Sequence, residues 1–567
     1  LLLDNGSDIT SALQSISSTG GTIELGSGFE YTLSSEVDFD VLPNIIGNSS
    51  KINIINTGSI KSDSNRSIST VTITQNQSKG DKQITVSDSS GFSVGDFFFI
   101  QNNEDFSFCG ARDYYRDGDF CEITGISGNV LTLRNGLELD ITLDGGNPTK
   151  YQIHELNQQQ VKWSNLKIIA DDTSTRTPVV IDGLSLHFDN VKITGQNGNH
   201  AVSLSAIYNC EFTNGCEFKN YEDAGGLGYG WAIRGGRFIK SFGSNFYSRR
   251  HGSSLTSGGT VLPTTPVRDI EFHDCTFDTF GNVNNTHAAD GHGASDRVYY
   301  YDCTSYAGVV MGGKDCYWLG GEIYSNEAQG GMYLREWVGG NFEFKPNRYI
   351  HRAGSSNMVG AHSSTETDSP YGDVTVTIDC EVGNGSSGVG QFAVSLPWNT
   401  PDAIGLSVEI DKMNFKNDIP TDALVFISSQ DVGLLSYVNS INVKESNFQG
   451  GTRRWMRPLG GFINAETRVS LPTVRILDSI NIPTTGKASK TIVSPVRYPF
   501  SNIAINVSFY DVAESGVVAG SSSPALSGSG YYYYSSVTGV EVTGDFTATN
   551  ATKCIVEYVV DNINPVE

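Results

Sequence analysis

The hydrophobic pattern of the chain is built from one short phrase, in which apolar positions flank an Asp or an Asn. Residues 272–277 read FHDCTF, and residues 300–305 read YYDCTS. Related phrases start at 163, 188, 207, 377, 410, 443 and 476, and the last four starts are 33 residues apart. A fixed period of about 20–50 residues is typical of solenoids, so the phrase predicts a stacked array.

Short runs of Val, Ile, Thr, Tyr and Phe between clusters of Gly, Asn, Asp and Ser predict strands joined by turns. A sustained helical period is almost absent, and DITSALQSI at residues 8–16 is the exception. Each repeat is therefore predicted to be one coil of strands and turns. Such coils pair as parallel strands roughly 4.8 Å apart, so the predicted fold is an all-β parallel β-helix.

Two positions of the phrase support this stacking. The fourth position is small or apolar, and we expect its cysteines to fill one interior ladder: Cys210, Cys275, Cys303 and Cys380. The third position suits a corner of the coil, because Asn and Asp tolerate turn conformations. The third-position residues are Asn165, Asn190, Asn209, Asp274, Asp302, Asp379 and Asp478.

Changes in the pattern divide the chain into four parts. Residues 1–69 predict an N-terminal cap with a short helix, followed by the first coils. Residues 70–155 alternate apolar and polar positions between hairpin turns, which predicts a small inserted β-subdomain. Residues 156–484 carry the repeat and predict the main β-helix. Residues 485–567 predict a β-sandwich-like C-terminal domain for trimerisation or glycan binding.

Charge and hydropathy restrict the partners of the chain. The net charge of −24 over 567 residues argues against nucleic acid, because phosphate binding needs concentrated Lys and Arg. An anionic membrane surface is disfavoured for the same reason. The sequence has no run of 18 or more apolar residues, so we expect no membrane span.

The nine cysteines are scattered and include no CxxC pair, which predicts free thiols and no zinc site. A disulfide between Cys109 and Cys121 is possible but not indicated. We expect no cofactor. The chain starts at Leu1 in mid-pattern, without Met or a secretory signal, so we expect a fragment or a processed form.

The entry segment DITSALQSISSTGGTIELGSGFEYTL and the stretch GYGWAIRGG, SRRHG and THAADGHG are similar to bacteriophage tailspikes of the pectate-lyase-like superfamily. This resemblance implies a right-handed β-helix and a homotrimer that cleaves bacterial surface polysaccharide, either capsule or O-antigen. It also implies a place on the virion, with activity at the bacterial cell surface. Attachment to the phage tail or baseplate would need a segment that precedes Leu1.

One candidate constellation is a pair of carboxylates with a histidine. Counting back eight residues from the apolar phrase of each coil puts His292, Val310 and Glu336 in one column, with His292 and Glu336 roughly 10 Å apart. Asp290 lies two residues before His292 and would face the same side of a strand. We expect these residues on connections between irregular coils. Asp290 and Glu336 would then flank a sugar on the outer surface, as acid and base of an inverting glycosidase.

Structural roles compete with this hypothesis. Asp290 could cap a turn in ADGHG, and Glu336 could pair with Arg335 or Lys314. Glu222 and Asp223, in YEDAGG, are another carboxylate pair that could replace Asp290.

A second constellation is basic. Six residues within an eighteen-residue stretch suit a cleft for an acidic sugar, because guanidinium groups bind carboxylates in bidentate fashion. They are Arg234, Arg237, Lys240, Arg249, Arg250 and His251. A polysaccharide lyase would use such groups to neutralise a uronate, with a base such as His251, His292 or Tyr333.

Aromatic residues form the third set, because their rings can stack on sugar faces. The candidates are Tyr229, Trp231, Trp318, Tyr333, Trp337 and Trp398. Combining the sets, we predict that the catalytic residues are Asp290, Glu336 and His292. The predicted substrate-binding residues are Arg234, Arg249, Arg250, His251, Lys314, Tyr333 and Trp337.

Three functions remain open from the sequence. The first is an endo-acting glycoside hydrolase, the second is a lyase on a uronate-containing polymer, and the third is a non-catalytic glycan-binding spike. A lyase product absorbs in the ultraviolet through its new double bond, which separates the first two. Failure to shorten any host polysaccharide would favour the third.

Overall fold

The structure is a computed structural model. It describes residues 4–63, 65–103, 115–143, 150–222, 228–256, 265–281, 287–325 and 330–351, and beyond them the strands between 357 and 560. Side chains are described up to residue 350, except at 335, 337 and 338, and again at 375–379.

Among these residues the structure has one helix, α1 (Thr10–Gln14), which buries Leu13 at the start of the β-helix core. No helix of the described ranges is long and apolar enough to cross a membrane. The strands that follow α1 are β1 (Thr22–Glu24), β2 (Glu30–Leu33), β3 (Glu36–Asp38), β4 (Asn44–Ile54) and β5 (Ser59–Ser62).

After β5 the chain leaves the stack and forms an insertion, residues 66–156. Its strands are β6 (Arg66–Ile68), β7 (Gln83–Thr85), β8 (Phe97–Asn102), β9 (Gly118–Ser127), β10 (Val130–Leu133) and β11 (Tyr151–Leu156). They pair antiparallel in one sheet, in the order β6-β11-β8-β9-β10-β7, around a core of their own. The ends of the insertion meet, since the Asn157 N–H donates to the Asn65 carbonyl at 2.8 Å.

The main stack resumes directly beside the strands that the chain left, because β12 pairs in parallel with β4 and β13 with β5. Its strands are β12 (Gln160–Ala170), β13 (Val179–Asp182), β14 (Ser185–Gly195), β15 (His200–Thr213), β16 (Glu217–Asn220), β17 (Tyr229–Phe242), β18 (Asn245–Ser248), β19 (His251–Thr256), β20 (Val267–His273), β21 (Thr276–Asp278), β22 (Ala289–Gly291), β23 (Ser295–Tyr301), β24 (Thr304–Ser305), β25 (Val309–Leu319), β26 (Glu322–Tyr324), β27 (Met332–Lys345), β28 (Arg348–His351), β29 (Asn357–His362), β30 (Val374–Asn384), β31 (Phe392–Leu396), β32 (Leu406–Phe415), β33 (Val425–Ser429), β34 (Val438–Val443), β35 (Ser446–Asn447), β36 (Arg454–Arg457) and β37 (Arg468–Ser470).

The predicted parallel β-helix is confirmed, and its coils present three faces. The first face includes β19, β22 and the N-terminal halves of β15, β17, β25 and β27. The second includes β20, β23 and the C-terminal halves of those long strands. The third includes β16, β18, β21, β24, β26 and β28. Interior columns such as Leu204–Ile233–Leu255 are fully buried.

The corner prediction is confirmed for four of the seven third-position residues. Asn165, Asn190, Asp274 and Asp302 have φ between 48° and 51°, the left-handed region that Asn and Asp tolerate. The Asn190 amide also donates to the Asn165 side chain of the previous coil, at 2.9 Å. Asn209 has φ 49° as well, but it lies at a second bend, within β15.

The single cysteine ladder is partly wrong. Cys275 and Cys303 occupy equivalent places on neighbouring coils and are buried, as predicted. Cys210 is buried but belongs to another column, opposite Ile239, because its phrase sits at the second bend of the coil. The side chain of Cys380 lies outside the described residues, as does Cys109.

The last strands of the chain are β38 (Val474–Asn481), β39 (Gly486–Ile492), β40 (Ile505–Ala513), β41 (Gly516–Val517), β42 (Tyr532–Ser536), β43 (Gly539–Phe546) and β44 (Lys553–Val560). They pair antiparallel. The phrase at residues 476–481 predicted another coil, and this prediction is wrong. Alternating apolar residues suit either strand direction, and the last parallel pairing joins β34 to β37.

Candidate active site

Asp290 lies on the outer side of the first face. Its neighbours Ala289 and Gly291 pair with interior positions of β19, Ser253 and Leu255. Side chains alternate along a strand, so the carboxylate of Asp290 points to the opposite side of the sheet. Asp290 is thus within strand β22, rather than on a connection between coils as predicted.

His292 and Asp290 face the same side, as the two-residue spacing predicted. Nε2 of His292 lies 2.8 Å from the Asp290 carboxylate. Ser254, on the previous coil, also points its hydroxyl at this carboxylate, at 3.5 Å. The oxygen of Asp290 that faces His292 is therefore the centre of a polar cluster.

Glu336 reaches the same histidine from two coils further along the stack. Its carboxylate lies 3.6 Å from Nδ1 of His292 and accepts the backbone N–H of Gly293 at 3.0 Å. The predicted column is nevertheless wrong, because Val310 pairs with Asp290 and Tyr333, and not with His292 and Glu336.

A bulge explains how Glu336 arrives there. Arg335 pairs with Gly312 and Trp337 with Gly313, so Glu336 is an extra residue of β27 without an opposite partner in β25. Its φ of 52° is rare for a residue with a side chain. Bulges re-aim side chains and are common beside active sites. Counting residues cannot detect such an insertion.

The cluster is buried, which corrects the expectation of an open outer surface. The side chains of Asp290, His292 and Glu336 are 1%, 9% and 0% exposed. Burial by itself lowers the pKa of His292, but the charges and hydrogen bonds of the two carboxylates outweigh it and raise the pKa to about 9. His292 is therefore an imidazolium at neutral pH, bridging two carboxylates.

His251 lies on the other side of Asp290 and carries no charge. Its Nε2 is 3.5 Å from the Asp290 carboxylate, and its Nδ1 donates to the His287 carbonyl at 2.6 Å. Burial lowers the pKa of His251 to about 4, although Asp290 opposes this shift. The proton of the neutral ring is thus on Nδ1, and Nε2 faces the Asp290 carboxylate without a proton between them.

Beside the cluster of Asp290, His292 and Glu336, several aromatic rings and arginine side chains form a rim. Tyr229 stacks on His200 at 5.0 Å and lies 5.6 Å from the ring of His251. The Arg250 guanidinium lies over Tyr229, 5.3 Å from the ring centre. Arg234 donates to His200 Nε2 at 3.2 Å, so that nitrogen carries no proton. Arg249, next to Arg250, is exposed.

The predicted basic set does not form one cleft. Arg234, Arg250 and His251 adjoin the first face, but Arg237 is buried in ion pairs with the insertion. Lys240 pairs with Glu271 on the second face, at 3.0 Å. Arg234 and Arg237 lie on different faces because the chain bends between the two halves of β17. Lys314 lies past the equivalent bend of β25, where it pairs with Asp296 of the previous coil.

Of the aromatic candidates, Tyr333 adjoins the cluster. It is half-buried, follows Asp290 and Val310 in one column, and stacks on His287 at 5.5 Å. Trp231 and Trp318 are fully buried in the β-helix core, so the hypothesis that they stack on a sugar is wrong.

Several candidates cannot be placed. The side chains of Trp337, Trp398, Arg335 and Asp223 lie outside the described residues. The sequence analysis missed His200 and His287. His200 had a usable signal, since it precedes the strand AVSL directly after the turn residues NGN.

The family comparison falls on this part of the chain. A family model described as Gp49, pectin lyase-like, matches residues 198–436, which include every residue of the cluster. No curated protein matches the chain at a significant level.

Solved structures extend the similarity to nearly the whole chain. The Gp54 tailspike of Acinetobacter baumannii bacteriophage AP22, solved with a capsular saccharide of its host, has TM-score 0.73 and 17% identity, covering 99% of this chain and 94% of that one. The tailspike gp49 of Pseudomonas phage LKA1 has TM-score 0.69 and 18% identity, with 98% and 92% covered. The chain therefore has the fold of these tailspikes, and residues 198–436 match the pectin lyase-like family model.

A third tailspike, gp61 of Pseudomonas phage phi297, has TM-score 0.66 and 15% identity, with 97% and 88% covered. The tailspike fold is thus shared along the chain, while fewer than one residue in five is identical in any of these three pairs.

Proposed function

We propose that this protein is a phage tailspike that binds and depolymerises a bacterial surface polysaccharide, capsule or O-antigen. The observation that carries the proposal is the cluster on the first face, where two buried carboxylates contact one imidazolium beside a rim of arginines and rings. Perturbed groups gathered in this way are typical of functional sites. The capsular saccharide bound to the AP22 tailspike supports the substrate class.

For the reaction we propose hydrolysis by Asp290 and Glu336. The reacting form holds one proton on this pair: the protonated carboxyl donates it to the glycosidic oxygen, and the ionised carboxylate takes a proton from the attacking water, so the pair again holds one proton after the reaction. His292 contacts both and is the positioning residue. A whole imidazole ring, with contacts of 2.8 and 3.6 Å, lies between the carboxylates. This arrangement favours the wide carboxyl spacing of inverting enzymes over the roughly 5 Å of retaining ones.

Burial adds a requirement to this mechanism. The side chains of Asp290 and Glu336 are 1% and 0% exposed, so the mechanism requires that both become accessible to the sugar. A bound saccharide would then exclude water from the carboxylates, which keeps their electrostatic interactions strong.

A lyase reaction is the second candidate, favoured by the rim. Arg234 and Arg250 could neutralise a uronate carboxylate, and half-buried Tyr333 could remove the neighbouring proton. His251 suits that role less well, because burial lowers its pKa to about 4 and so makes it a weak base.

Product analysis of purified protein on host capsule and O-antigen tests these proposals. Hydrolysis predicts new reducing ends without ultraviolet absorbance, whereas a lyase predicts the absorbance of a new double bond. A wild-type protein that binds polysaccharide without shortening it would identify a non-catalytic spike and contradict both.

The carboxylates themselves are tested by isosteric variants. We expect Asp290→Asn and Glu336→Gln to lower turnover by roughly 10²-fold or more, since each loses an acid or base, while polysaccharide binding survives on the rim. Glu343→Gln is the matched control for Glu336→Gln, because Glu343 lies on the same strand in a surface pair with Lys345. Full activity in both site variants would place the reaction elsewhere.

We also propose a homotrimer that sits on the phage tail or baseplate and acts at the bacterial cell surface. A long parallel stack exposes a large lateral surface, and burying it between subunits removes a liability. Its similarity in fold to three phage tailspikes supports this placement.

A further inference from the structure

Among the described residues of the insertion, Tyr115 contacts the strand beside the candidate site. The Tyr115 hydroxyl lies 3.0 Å from the Thr256 hydroxyl, and Tyr115 is completely buried. Thr256 pairs with Arg234 of the previous coil. The His292 N–H donates to the carbonyl of Leu255, the residue before Thr256, at 2.9 Å. Tyr115 therefore contacts the strand that separates Arg234 from His292.

Two buried arginines hold the insertion in this place. Arg237 and Arg268 are each 3% exposed and project from the coils at the bend between the first and second faces. Arg237 contacts Asp119 at 2.5 Å and Glu138 at 3.3 Å, both in the insertion. Arg268 contacts Asp117 of the insertion at 3.3 Å.

The same arginines are also anchored within the coils. Arg237 contacts Asp269 at 2.6 Å, and Arg268 contacts Asp296 at 3.2 Å. Arg297 bridges the two sides, with Glu138 at 2.7 Å and Asp269 at 2.6 Å. We name this network the clamp: Asp117, Asp119, Glu138, Arg237, Arg268, Asp269, Asp296 and Arg297.

The burial of the clamp decides how the insertion behaves. Moving the insertion away would remove carboxylates from two buried guanidinium groups, and leaving a buried charge without its partner is strongly destabilising. The clamp contains several ion pairs that share partners, so moving the insertion away would break more than one of them. The insertion is thus a fixed part of the first face's edge, unlike a lid that opens on each turnover.

We infer that the insertion is a rigid wall of the candidate site, and that Tyr115 and the clamp are positioning elements for the strand before His292. The wall stands on the side where the first face meets the second. A saccharide chain is therefore excluded from that side and lies along the stack, between the wall and the rim of Tyr229 and Arg250. The saccharide part of this inference rests on the proposed function.

The test compares two isosteric variants on one strand of the insertion. Asp119→Asn removes the charge that faces Arg237 in the clamp, whereas Glu122→Gln alters a pair with Arg134 inside the insertion. For Asp119→Asn we expect at least tenfold faster hydrogen exchange in residues 251–256 and 289–292, and roughly tenfold lower kcat with little change in KM. Glu122→Gln should change neither.

Tyr115→Phe separates the wall contact from the clamp. This variant removes one hydroxyl without altering charge. We expect hydrogen exchange to become faster here too, but by a smaller factor than in Asp119→Asn and only in residues 251–256. If exchange in Asp119→Asn rises only within the insertion, or if kcat is unchanged, the wall does not position the site. Exchange is measured without substrate, so a wild-type protein that cleaves nothing would overturn the proposed function while leaving the wall testable.

Discussion

His292 has a charge that its burial alone would remove. An isolated buried imidazole loses its proton, as His251 and His200 do, with pKa values lowered to about 4 and about 3 chiefly by burial. The difference at His292 is that a carboxylate faces each ring nitrogen. His251 and His292 both lie near Asp290, but His251 is neutral and His292 is charged. The number of neighbouring carboxylates, and not the degree of burial, determines this difference in charge.

This charge predicts a pH dependence of stability. The pKa of His292 is about 9 in the folded protein and about 6.5 when unfolded. A group with a raised folded pKa stabilises fully below its unfolded pKa, and this stabilisation disappears as the pH rises through the folded value. We expect a loss of about 3 kcal/mol between pH 6.5 and 10.

Thermal midpoints at several pH values measure this loss. His292→Gln should lack the alkaline decline that wild type shows, and His187→Gln is the control, since His187 is a surface histidine paired with Glu211. Equal declines in wild type and His292→Gln would show that His292 is not the responsible group.

The sequence predicted part of the residue-level site, for physical reasons. Asp290 and His292 could be placed on one side because strand alternation is a local rule. Glu336 could not be aligned, because a bulge changes the count within β27. Arg237 could not be separated from Arg234, since a bend between them is invisible without the fold.

The corners of the coils repeat one backbone conformation from coil to coil. Asn165, Asn190, Asp274 and Asp302 share a left-handed φ near 50°. A Cβ is strained there, and Asn or Asp offsets part of this strain with local hydrogen bonds. A corner therefore selects residue type even where its side chain is exposed.

Substitutions at Asp274 test this selection. Asp274 is exposed, so packing contributes little. We expect Asp274→Ala to lower the free energy of unfolding by about 1 kcal/mol, because Ala has the strain without the local bonds. Asp274→Gly should be near neutral, since Gly adopts this φ freely. If both variants unfold at the same denaturant concentration, the corner exerts no such selection.

At the scale of the elements, the six-residue phrase predicted that its copies form strands and bends. It predicted less well where in the coil each copy lies. The fourth positions of three later copies align as expected, Cys380 with Met413 and Met413 with Ser446. Cys210 was misplaced because the coils from β15 to β25 each have two left-handed bends, and the same phrase fits both. A pattern of six residues cannot show at which bend it lies.

The proposed assembly of the whole molecule predicts a defined mass in solution. A homotrimer should give about three times the chain mass of 61.2 kDa by light scattering at micromolar concentration. The measurement uses the full chain, with its C-terminal antiparallel strands. A mass equal to one chain would contradict the proposed assembly.

The architecture was predictable because a fixed period without helices allows few folds. The clamp was not, because the residues that join the insertion to the coils are far apart in sequence, as Asp119 and Arg237 are at 118 residues. No local pattern marks such a pair. Arg237 and Arg268 look like ordinary surface charges until the insertion is placed against them.

The meeting of the insertion's two ends has an evolutionary consequence. Since Asn157 bonds to Asn65, recombination could exchange the whole insertion as a cassette without shifting any coil. The buried arginines oppose such an exchange, because a foreign cassette without carboxylates at the right places would leave Arg237 and Arg268 unpaired. Insertion and coils should therefore be inherited together among relatives of this chain, with changes at Asp119 accompanied by changes at Arg237.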